Sequence, residues 1–270
     1  MPVIAIANQK GGVGKTTTAV NLGASLAAAE KRTLVVDLDP QGNASSGLLP
    51  AELRGTARSS LYGVLFDGAP LASAVVRSPD IAFLDVVPTS EHLLGGEVEM
   101  ASLPGREQRL REALAPVRDL YDFVLLDCPP ALGLYTLGAL VAADSVLVPV
   151  QAEFFALEGL SQLLENLELV KALNPSLRIE GALITMFDGR LSLAQSVAAE
   201  VRGYLGERTF ATVIPRNVRL AEAPSFERPV LAYDARSAGA RSYLSLAVEL
   251  MRRYGMPVPV SGDRKGRAAG

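Results

Sequence analysis

The chain has 270 residues, of which 49% are hydrophobic, and its formal net charge is -3. This length allows one large domain or two small ones with a buried core, and the apolar runs are shorter than the roughly 18 residues that cross a bilayer. One cysteine and one histidine exclude a disulfide framework and argue against a zinc site built from protein side chains. The start, MPVIAIANQK, has no basic segment before its apolar run, so we expect a cytoplasmic protein without a secretory signal.

Short apolar runs alternate with helical segments along the chain. The predicted strands are Val3–Ala7, Thr33–Asp37, Ile81–Val87, Phe123–Asp127, Ser145–Val150, Ile179–Thr185 and Thr209–Ile214. The predicted helices are Thr17–Glu30, Arg106–Leu120, Leu157–Leu173, Leu193–Leu205 and Gly239–Tyr254. Several strands, such as FVLLD, are continuous apolar runs, as in strands that are buried on both faces of a parallel sheet. The pattern predicts an α/β fold, a doubly wound, mostly parallel sheet with helices on both faces.

The sequence contains no repeat and no internal linker. We therefore expect residues 1–256 to form a single domain. The last segment, residues 257–270, ends in the small, polar and basic stretch SGDRKGRAAG, which predicts a disordered tail.

The first strand runs into a glycine-rich loop, KGGVGKTT, and then into a helix. The usual phosphate-binding loop, G-x-x-x-x-G-K-[ST], would place its first glycine at position 9, where this chain has Gln9. A lysine, Lys10, precedes the glycines instead. The segment that is predicted to surround phosphate consists of Gly11, Gly12, Val13 and Gly14. Its glycines allow backbone N–H groups to approach phosphate oxygens, and the start of the following helix favours an anion.

Two side chains at the end of this loop have the chemistry that a nucleoside triphosphate requires. Lys15 is placed to reach the β- and γ-phosphates, and the hydroxyl of Thr16 is placed to bind Mg²⁺. A bare glycine-rich turn between a strand and a helix would not need either residue type.

Three carboxylates follow predicted strands. Asp37 and Asp39 lie in VVDLDPQGN, and Asp127 lies in FVLLDCPP. Ligands of open α/β sheets collect at the carboxyl ends of the strands, so all three should lie near the phosphates. Asp127 is the natural Walker B residue, which orients Mg²⁺ or its water, and Asp39 is the better candidate to position the attacking water.

The chain resembles the ParA/Soj family of chromosome-partitioning ATPases. The resemblance rests on KGGVGKTT, VDLDPQGN, LLDCPP, PVQAEFFALEGLSQL and VIPRNVRLAEAPS, and it extends from about residue 2 to about residue 254. It implies a P-loop ATPase of the deviant Walker A type, whose mark is the additional lysine before the glycines. In that family Lys10 corresponds to a lysine that crosses an ATP-sandwich dimer to the nucleotide of the other subunit.

The resemblance also implies a set of site residues. Lys15, Thr16 and Thr17 would bind phosphate and Mg²⁺, Asp39 would support hydrolysis, and Asp127 would occupy the switch after the Walker B strand. The family places the base at the ends of two late strands, TMFDGR and IPRN, which assigns Pro215 and Asn217 to adenine.

The charge is unevenly distributed along the chain. Residues 1–189 contain 13 Lys and Arg against 22 Asp and Glu, whereas residues 190–270 contain 13 against 7. A basic surface of this kind is a candidate for contact with nucleic acid, although it also suits an ordinary solvated face. The family has an arginine needed for DNA binding at the place of Arg190. Arg219 follows in the next loop-rich stretch, and Arg216 ranks lower because it could lie on the nucleotide side.

Related classes define the alternatives. A MinD-like positioning ATPase would need an amphipathic membrane helix, but the tail has two prolines and no apolar stripe, so we expect no membrane contact. The nitrogenase iron protein needs two cluster cysteines per subunit, and an operator-reading plasmid ParA needs an additional N-terminal domain. The remaining alternative is a metabolic P-loop ligase of the dethiobiotin synthetase kind, for which no segment suggests a small-molecule pocket.

The resemblance therefore predicts a weak ATPase that acts as a switch. ATP and Mg²⁺ would drive homodimerisation, and the dimer would bind double-stranded DNA without sequence preference. Hydrolysis stimulated by a ParB-like centromere-binding protein would release it. Such a protein would be cytoplasmic and associated with the nucleoid.

Overall fold

The computed structural model describes residues 1–54 and 59–258. Their strands form one seven-stranded sheet in the order β3-β4-β2-β5-β1-β6-β7. The strands are β1 (Val3–Ile6), β2 (Thr33–Asp37), β3 (Val76–Arg77), β4 (Leu84–Val87), β5 (Phe123–Asp127), β6 (Ser145–Gln151) and β7 (Arg178–Thr185). Neighbouring strands are parallel, except that β3 and β4 are antiparallel. The predicted mostly parallel α/β sheet is confirmed.

Helices connect the parallel strands. Within the described ranges the longer ones are α1 (Lys15–Ala28), α5 (Leu93–Met100), α7 (Leu134–Ala142), α8 (Ala156–Val170), α9 (Ser192–Leu205) and α12 (Ala238–Arg253). The shorter ones are α2 (Asn43–Leu48), α3 (Ala51–Arg54), α4 (Leu61–Phe66), α6 (Arg109–Leu114), α10 (Val218–Glu222) and α11 (Val230–Tyr233). None of the helices in these residues is long and apolar enough to cross a membrane.

The central strands are buried on both faces, which explains their continuous apolar sequences. Along β1, Val3 and Ala5 join one hydrophobic cluster, while Ile4 and Ile6 join the other. Successive side chains of a strand point to opposite faces, so a strand between two helical layers needs an apolar residue at every position. The sheet therefore has a hydrophobic core on each face.

The predicted strand Thr209–Ile214 is wrong. Its ends make single bridging contacts, in which Phe210 N donates to Ala182 O and Ile214 N donates to Ile184 O, both at 2.9 Å. Between them, the N–H groups of Ala211 and Thr212 donate to the carboxylate of Glu249 on α12. Because that side chain takes the donors that a sheet ladder would use, the segment forms no strand.

Among the other boundaries that differ from the prediction, two have a clear local cause. The predicted strand Ile81–Val87 begins only at Leu84, because Phe83 has φ 64° and turns the chain back toward the unpredicted edge strand β3. The predicted helix Arg106–Leu120 is reduced to α6 and a short 3₁₀ turn after Pro116. A proline cannot donate the hydrogen bond that a helix interior needs. Of the predicted disordered tail, residues 259–270 lie outside the described residues.

Candidate nucleotide-binding site

The glycine-rich loop joins β1 to α1 at the carboxyl edge of the sheet. Gly12 and Gly14 have φ values of 74° and 90°, which side-chain-bearing residues rarely adopt. A Cβ atom added at Gly11 or Gly12 would meet no atom within 4 Å. A side chain at either position would therefore point into open space.

Side chains from the neighbouring strands hold the loop in place. Asn8 donates through Nδ2 to Pro149 O at 2.7 Å, and its Oδ1 accepts from Lys10 N at 3.0 Å. At the other end of the loop, Thr185 Oγ1 donates to Val13 O at 2.8 Å. The loop is thus fixed by β6 and β7 before any ligand binds, which limits the ordering cost of binding.

Lys15 follows the last glycine of the phosphate loop, and its side chain points back into that loop. Its Nζ atom donates to the carbonyl oxygen of Lys10 at 3.1 Å, and its side chain is buried. Burial lowers the pKa of this amine, whereas the carboxylates of Asp127 and Asp39 act in the opposite direction. The lysine charge therefore lies within the space that the glycines leave free.

Asp127 ends β5 directly opposite Asp37 of β2. Its side chain is fully buried, and neither of its carboxylate oxygens has a hydrogen-bond partner. Burial raises its pKa well above the usual range, and the negative charge of Asp37 adds to the rise, while the nearby Thr16 hydroxyl opposes it. A buried carboxylate without partners is costly by itself. Together with Thr16, it has the oxygen chemistry that suits Mg²⁺ and its waters.

The two aspartates after β2 have different surroundings. Asp37 accepts hydrogen bonds from Ser45 N at 2.7 Å and Ser45 Oγ at 2.6 Å, and its other oxygen accepts from Asp39 N at 3.2 Å. Burial raises the pKa of Asp37 to about 6. Asp39 is bonded through Oδ1 to Gln41 N at 3.0 Å. Asp37 therefore fixes the start of α2 to the sheet, whereas the Asp39 carboxylate bonds within its own turn.

Lys10 extends along the carboxyl end of β6. Its Nζ atom lies 3.1 Å from Glu153 Oε2, and the other carboxylate oxygen of Glu153 accepts from the Gln151 amide. Both partners are partly exposed, so the pair lies on the surface beside the phosphate loop. The motif alone did not indicate this partner.

An apolar slot adjoins the loop. This cavity of about 180 Å³ is lined by Gly14, Thr17, Thr185, Met186, Ile214, Pro215, Arg216, Asn217, Leu220, Ala221 and Tyr243. It brings Pro215 and Asn217 to the end of the phosphate loop. Met186 adopts φ 50°, an uncommon backbone conformation for a residue with a side chain, at the mouth of the slot.

Tyr243 of α12 was missed by the sequence analysis. It is fully buried and lies 3.2 Å, hydroxyl to hydroxyl, from Thr18 of α1. A tyrosine on the apolar face of a helix has the appearance of an ordinary core residue, so no local signal distinguishes it.

The arginines that were assigned to DNA lie on the surface, but most of them are already paired. The side chain of Arg190 is 89% exposed, and its Nη2 atom lies 2.7 Å from Asp188 Oδ2. Arg219 contacts Glu222 at 2.7 Å and Asp234 at 3.3 Å. Arg216 is exposed and lines the apolar slot together with Pro215 and Asn217.

A larger polar cavity begins at Pro40, the residue after Asp39. It has a volume of about 710 Å³ and is lined by Pro40, Gln41, Gly42, Ser45, Ser46, Ala51, Arg54, Ser59, Ser60, Pro88, Thr89, Ser90, Glu91 and His92. The buried hydroxyl of Thr89 has no hydrogen-bond partner. No sequence motif indicated this cavity.

The chain is similar to known proteins in both sequence and fold. The sequence model of a family described as an AAA domain matches residues 1–179. The chain is 52% identical over 252 residues to the chromosome partitioning protein ParA of Myxococcus xanthus, covering 93% of this chain and 88% of that protein. It is 51% identical over 249 residues to the sporulation initiation inhibitor protein Soj of Bacillus subtilis, covering 92% and 97%.

A solved structure provides a further comparison. Cobyrinic acid a,c-diamide synthase from Mycobacterium smegmatis, with a bound ATP analogue and magnesium, superposes with a TM-score of 0.77 and is 33% identical. The match covers 96% of this chain and 100% of that one. The likeness therefore extends over the whole sheet and the loops at its carboxyl edge.

Proposed function

The chain belongs to the ParA/Soj family of chromosome-partitioning ATPases, and from this premise we propose that it is an ATP-controlled DNA-binding switch. ATP would assemble two copies into a sandwich dimer, the dimer would bind double-stranded DNA without sequence preference, and hydrolysis would release it. The observation that carries the proposal is Lys10, a second lysine beside a phosphate loop that already has Lys15.

The chain is a partitioning ATPase of the P-loop class, and its cofactors are ATP and Mg²⁺. We assign the phosphates to the backbone of Gly11 to Gly14 and to Lys15, Thr16 and Thr17. Thr16 would bind the metal directly, and Asp127 would hold it through water. Bound Mg²⁺ neutralises phosphate charge, and the partnerless oxygens of Asp127 support this assignment.

The adenine would occupy the apolar slot beside Pro215 and Asn217. The slot offers mostly apolar surface next to Thr17, so a planar base can replace water there without leaving many polar groups unpaired. The α-phosphate would then lie at Gly14 and Thr17, which line both the slot and the loop.

Asp39 would orient the water that attacks the γ-phosphate. Asp37 is excluded from this role by its bonds to Ser45, which engage it in holding α2. Lys10 would act on the nucleotide of the other subunit, because a cation near the transferring phosphoryl group offsets developing charge. This role in trans makes dimerisation depend on ATP.

The DNA surface would be built from Arg190 and Arg219, with Arg216 on the nucleotide side. One subunit offers few phosphate contacts, and non-specific affinity is typically only about 10⁻⁴ to 10⁻⁶ M. Pairing two such surfaces makes the second contact intramolecular and raises avidity. A chain of pI ≈ 5.4 would therefore bind DNA only in its dimeric state.

We further propose that residues 1–256 act as one ATPase domain at the nucleoid. A ParB-like centromere-binding partner, together with DNA, would stimulate its hydrolysis. The partitioning names of its relatives support such a partner.

Co-sedimentation with double-stranded DNA tests the switch. Protein incubated with Mg²⁺ and ATP should pellet with DNA, whereas protein with ADP or without nucleotide should stay in solution. Equal pelleting in all three conditions would exclude control by ATP.

A second candidate is an ATP-dependent ligase that acts on a small molecule. Two observations favour it: the polar cavity of about 710 Å³ beside Asp39, and the likeness to cobyrinic acid a,c-diamide synthase at 33% identity. The two functions differ in what raises ATP turnover. Stimulation by DNA and a partner protein supports the switch, and stimulation by a small carboxylic acid with an amine donor supports the ligase.

A further inference from the structure

Helix α5 presents apolar side chains to solvent. Leu94 is 65% exposed and Val98 is 84% exposed. The two are four residues apart, so they lie together on one side of the helix. The exposed glutamates Glu91, Glu97 and Glu99 flank them. We name these five residues the acidic apolar surface of α5.

The packing of α5 makes this exposure obligatory. A Cβ atom at Gly96 would lie 2.3 Å from the Tyr135 hydroxyl and 3.0 Å from the Phe66 ring. The helix therefore packs against these two residues through Gly96, where there is no side chain. Tyr135 also donates to Leu93 O at 2.9 Å. The helix cannot rotate to bury Leu94 and Val98 without losing these contacts.

The charge of the surface itself is negative, because Glu91, Glu97 and Glu99 are all exposed. The nearest basic residue in the sequence that follows is Arg106, which donates to Ala101 O at 2.7 Å just beyond the end of α5. An apolar patch in a negative field is matched by a positively charged segment with apolar side chains on one face, since complementary charge steers the encounter and apolar burial stabilises the complex.

The surface is connected to the nucleotide site. A Cβ atom at Gly133 would lie 2.2 Å from Glu97 Oε1, so the Glu97 carboxylate rests directly on the Gly133 backbone. Gly133 precedes α7 in the loop that follows Asp127. A segment that displaces Glu97 would therefore act on the loop next to the proposed magnesium position.

We propose that the acidic apolar surface of α5 is the docking site for a basic amphipathic helix of the protein that stimulates hydrolysis. This inference rests on the proposed function, because it names the chemistry of that partner and where it binds. Leu94 and Val98 make the apolar contact, and the glutamates pair with the partner's lysines or arginines.

The test measures binding of a fluorescent synthetic helix of leucine and lysine to the nucleotide-free full chain, by anisotropy. Val98→Lys and Leu94→Lys should each weaken binding about tenfold, the effect of losing one central contact. The control is Leu169→Lys, because Leu169 is 74% exposed on α8 beside Glu168 but lies outside the surface. It should bind the peptide like the wild type. A peptide with glutamate in place of lysine should not bind.

Any one of three results would overturn the inference. The first is peptide binding by Val98→Lys and Leu94→Lys that equals wild-type binding. The second is equal weakening by Leu169→Lys, and the third is binding of the glutamate peptide that is as tight as binding of the lysine peptide. Loss of ATP-dependent dimerisation in Val98→Lys with unchanged peptide binding would instead make the surface a contact between two copies. DNA co-sedimentation of the wild type reports separately on the proposed function, since the peptide assay contains neither ATP nor DNA.

Discussion

Lys10 Nζ lies 3.1 Å from Glu153 Oε2 of the same subunit, beside the phosphate loop. The lysine proposed to act on another subunit's nucleotide is thus paired with a carboxylate of its own subunit. Exposed ion pairs contribute only about 0.2 to 1 kcal/mol, so this contact can be exchanged easily. It nevertheless competes with the contact that Lys10 would make in a dimer.

Glu153→Gln should therefore strengthen ATP-dependent dimerisation about two- to fivefold, because it removes that competing carboxylate charge. Sedimentation equilibrium with ATP measures the effect. The matched control is Glu158→Gln, which changes an exposed glutamate five residues further on, in α8, and should leave the dimer unchanged. Weaker dimerisation in Glu153→Gln would mean that Glu153 supports the dimer.

Lys10→Ala should bind ATP like the wild type but fail to dimerise, since Lys15 remains in the loop while the cation for the other subunit is lost. Calorimetry gives the affinity, and size exclusion with light scattering gives the mass. The double variant with Glu153→Gln should behave like Lys10→Ala. An ATP-dependent dimer of normal stability in Lys10→Ala would refute the role in trans.

Asp39→Ala should retain ATP binding and slow hydrolysis by roughly two to four orders of magnitude, as expected for a group that positions the attacking water. The variant should accumulate as an ATP-bound dimer, which phosphate release and light scattering together detect. Hydrolysis at the wild-type rate would remove Asp39 from the mechanism.

Asp127→Asn should make the stability of the nucleotide-free protein fall less as the pH rises above the usual carboxyl range. A carboxyl with a raised pKa in the folded state contributes stability at low pH and loses it as the pH rises through that pKa. The amide does not titrate, so the unfolding free energy of the variant should fall less as the pH rises, as urea unfolding would measure. Mg²⁺-dependent ATP affinity should fall about 10- to 100-fold. An unchanged magnesium requirement would argue against the assignment of Asp127.

Arg190→Glu should abolish DNA binding in ATP while ATP binding and dimerisation persist, because it reverses a charge that is 89% exposed. Asp188→Asn should act in the opposite direction, since it frees Arg190 from its ion pair. Gel retardation at low salt compares both with Arg202→Glu, which changes an exposed arginine of α9. If Arg190→Glu retards DNA as strongly as the wild type does, the DNA surface lies elsewhere. Wild-type binding should weaken steeply with salt.

The sequence by itself determined the features that are encoded locally. The continuous apolar runs of β1 and β5 predicted a parallel sheet between two helical layers, since a strand buried on both faces needs an apolar side chain at every position. The run from Gly11 to Thr16 located the phosphate loop, because the backbone conformation and the side chains that phosphate requires are adjacent in the chain.

Only the tertiary structure decided which groups meet across long separations. Asp37 accepts a hydrogen bond from Ser45, Lys10 pairs with Glu153, and the Tyr243 hydroxyl contacts that of Thr18. Glu249 likewise removed the segment after Thr209 from the sheet by binding its N–H groups. The physical reason is that periodicity and turn chemistry act over a few residues, whereas a side chain's partner depends on how distant elements pack.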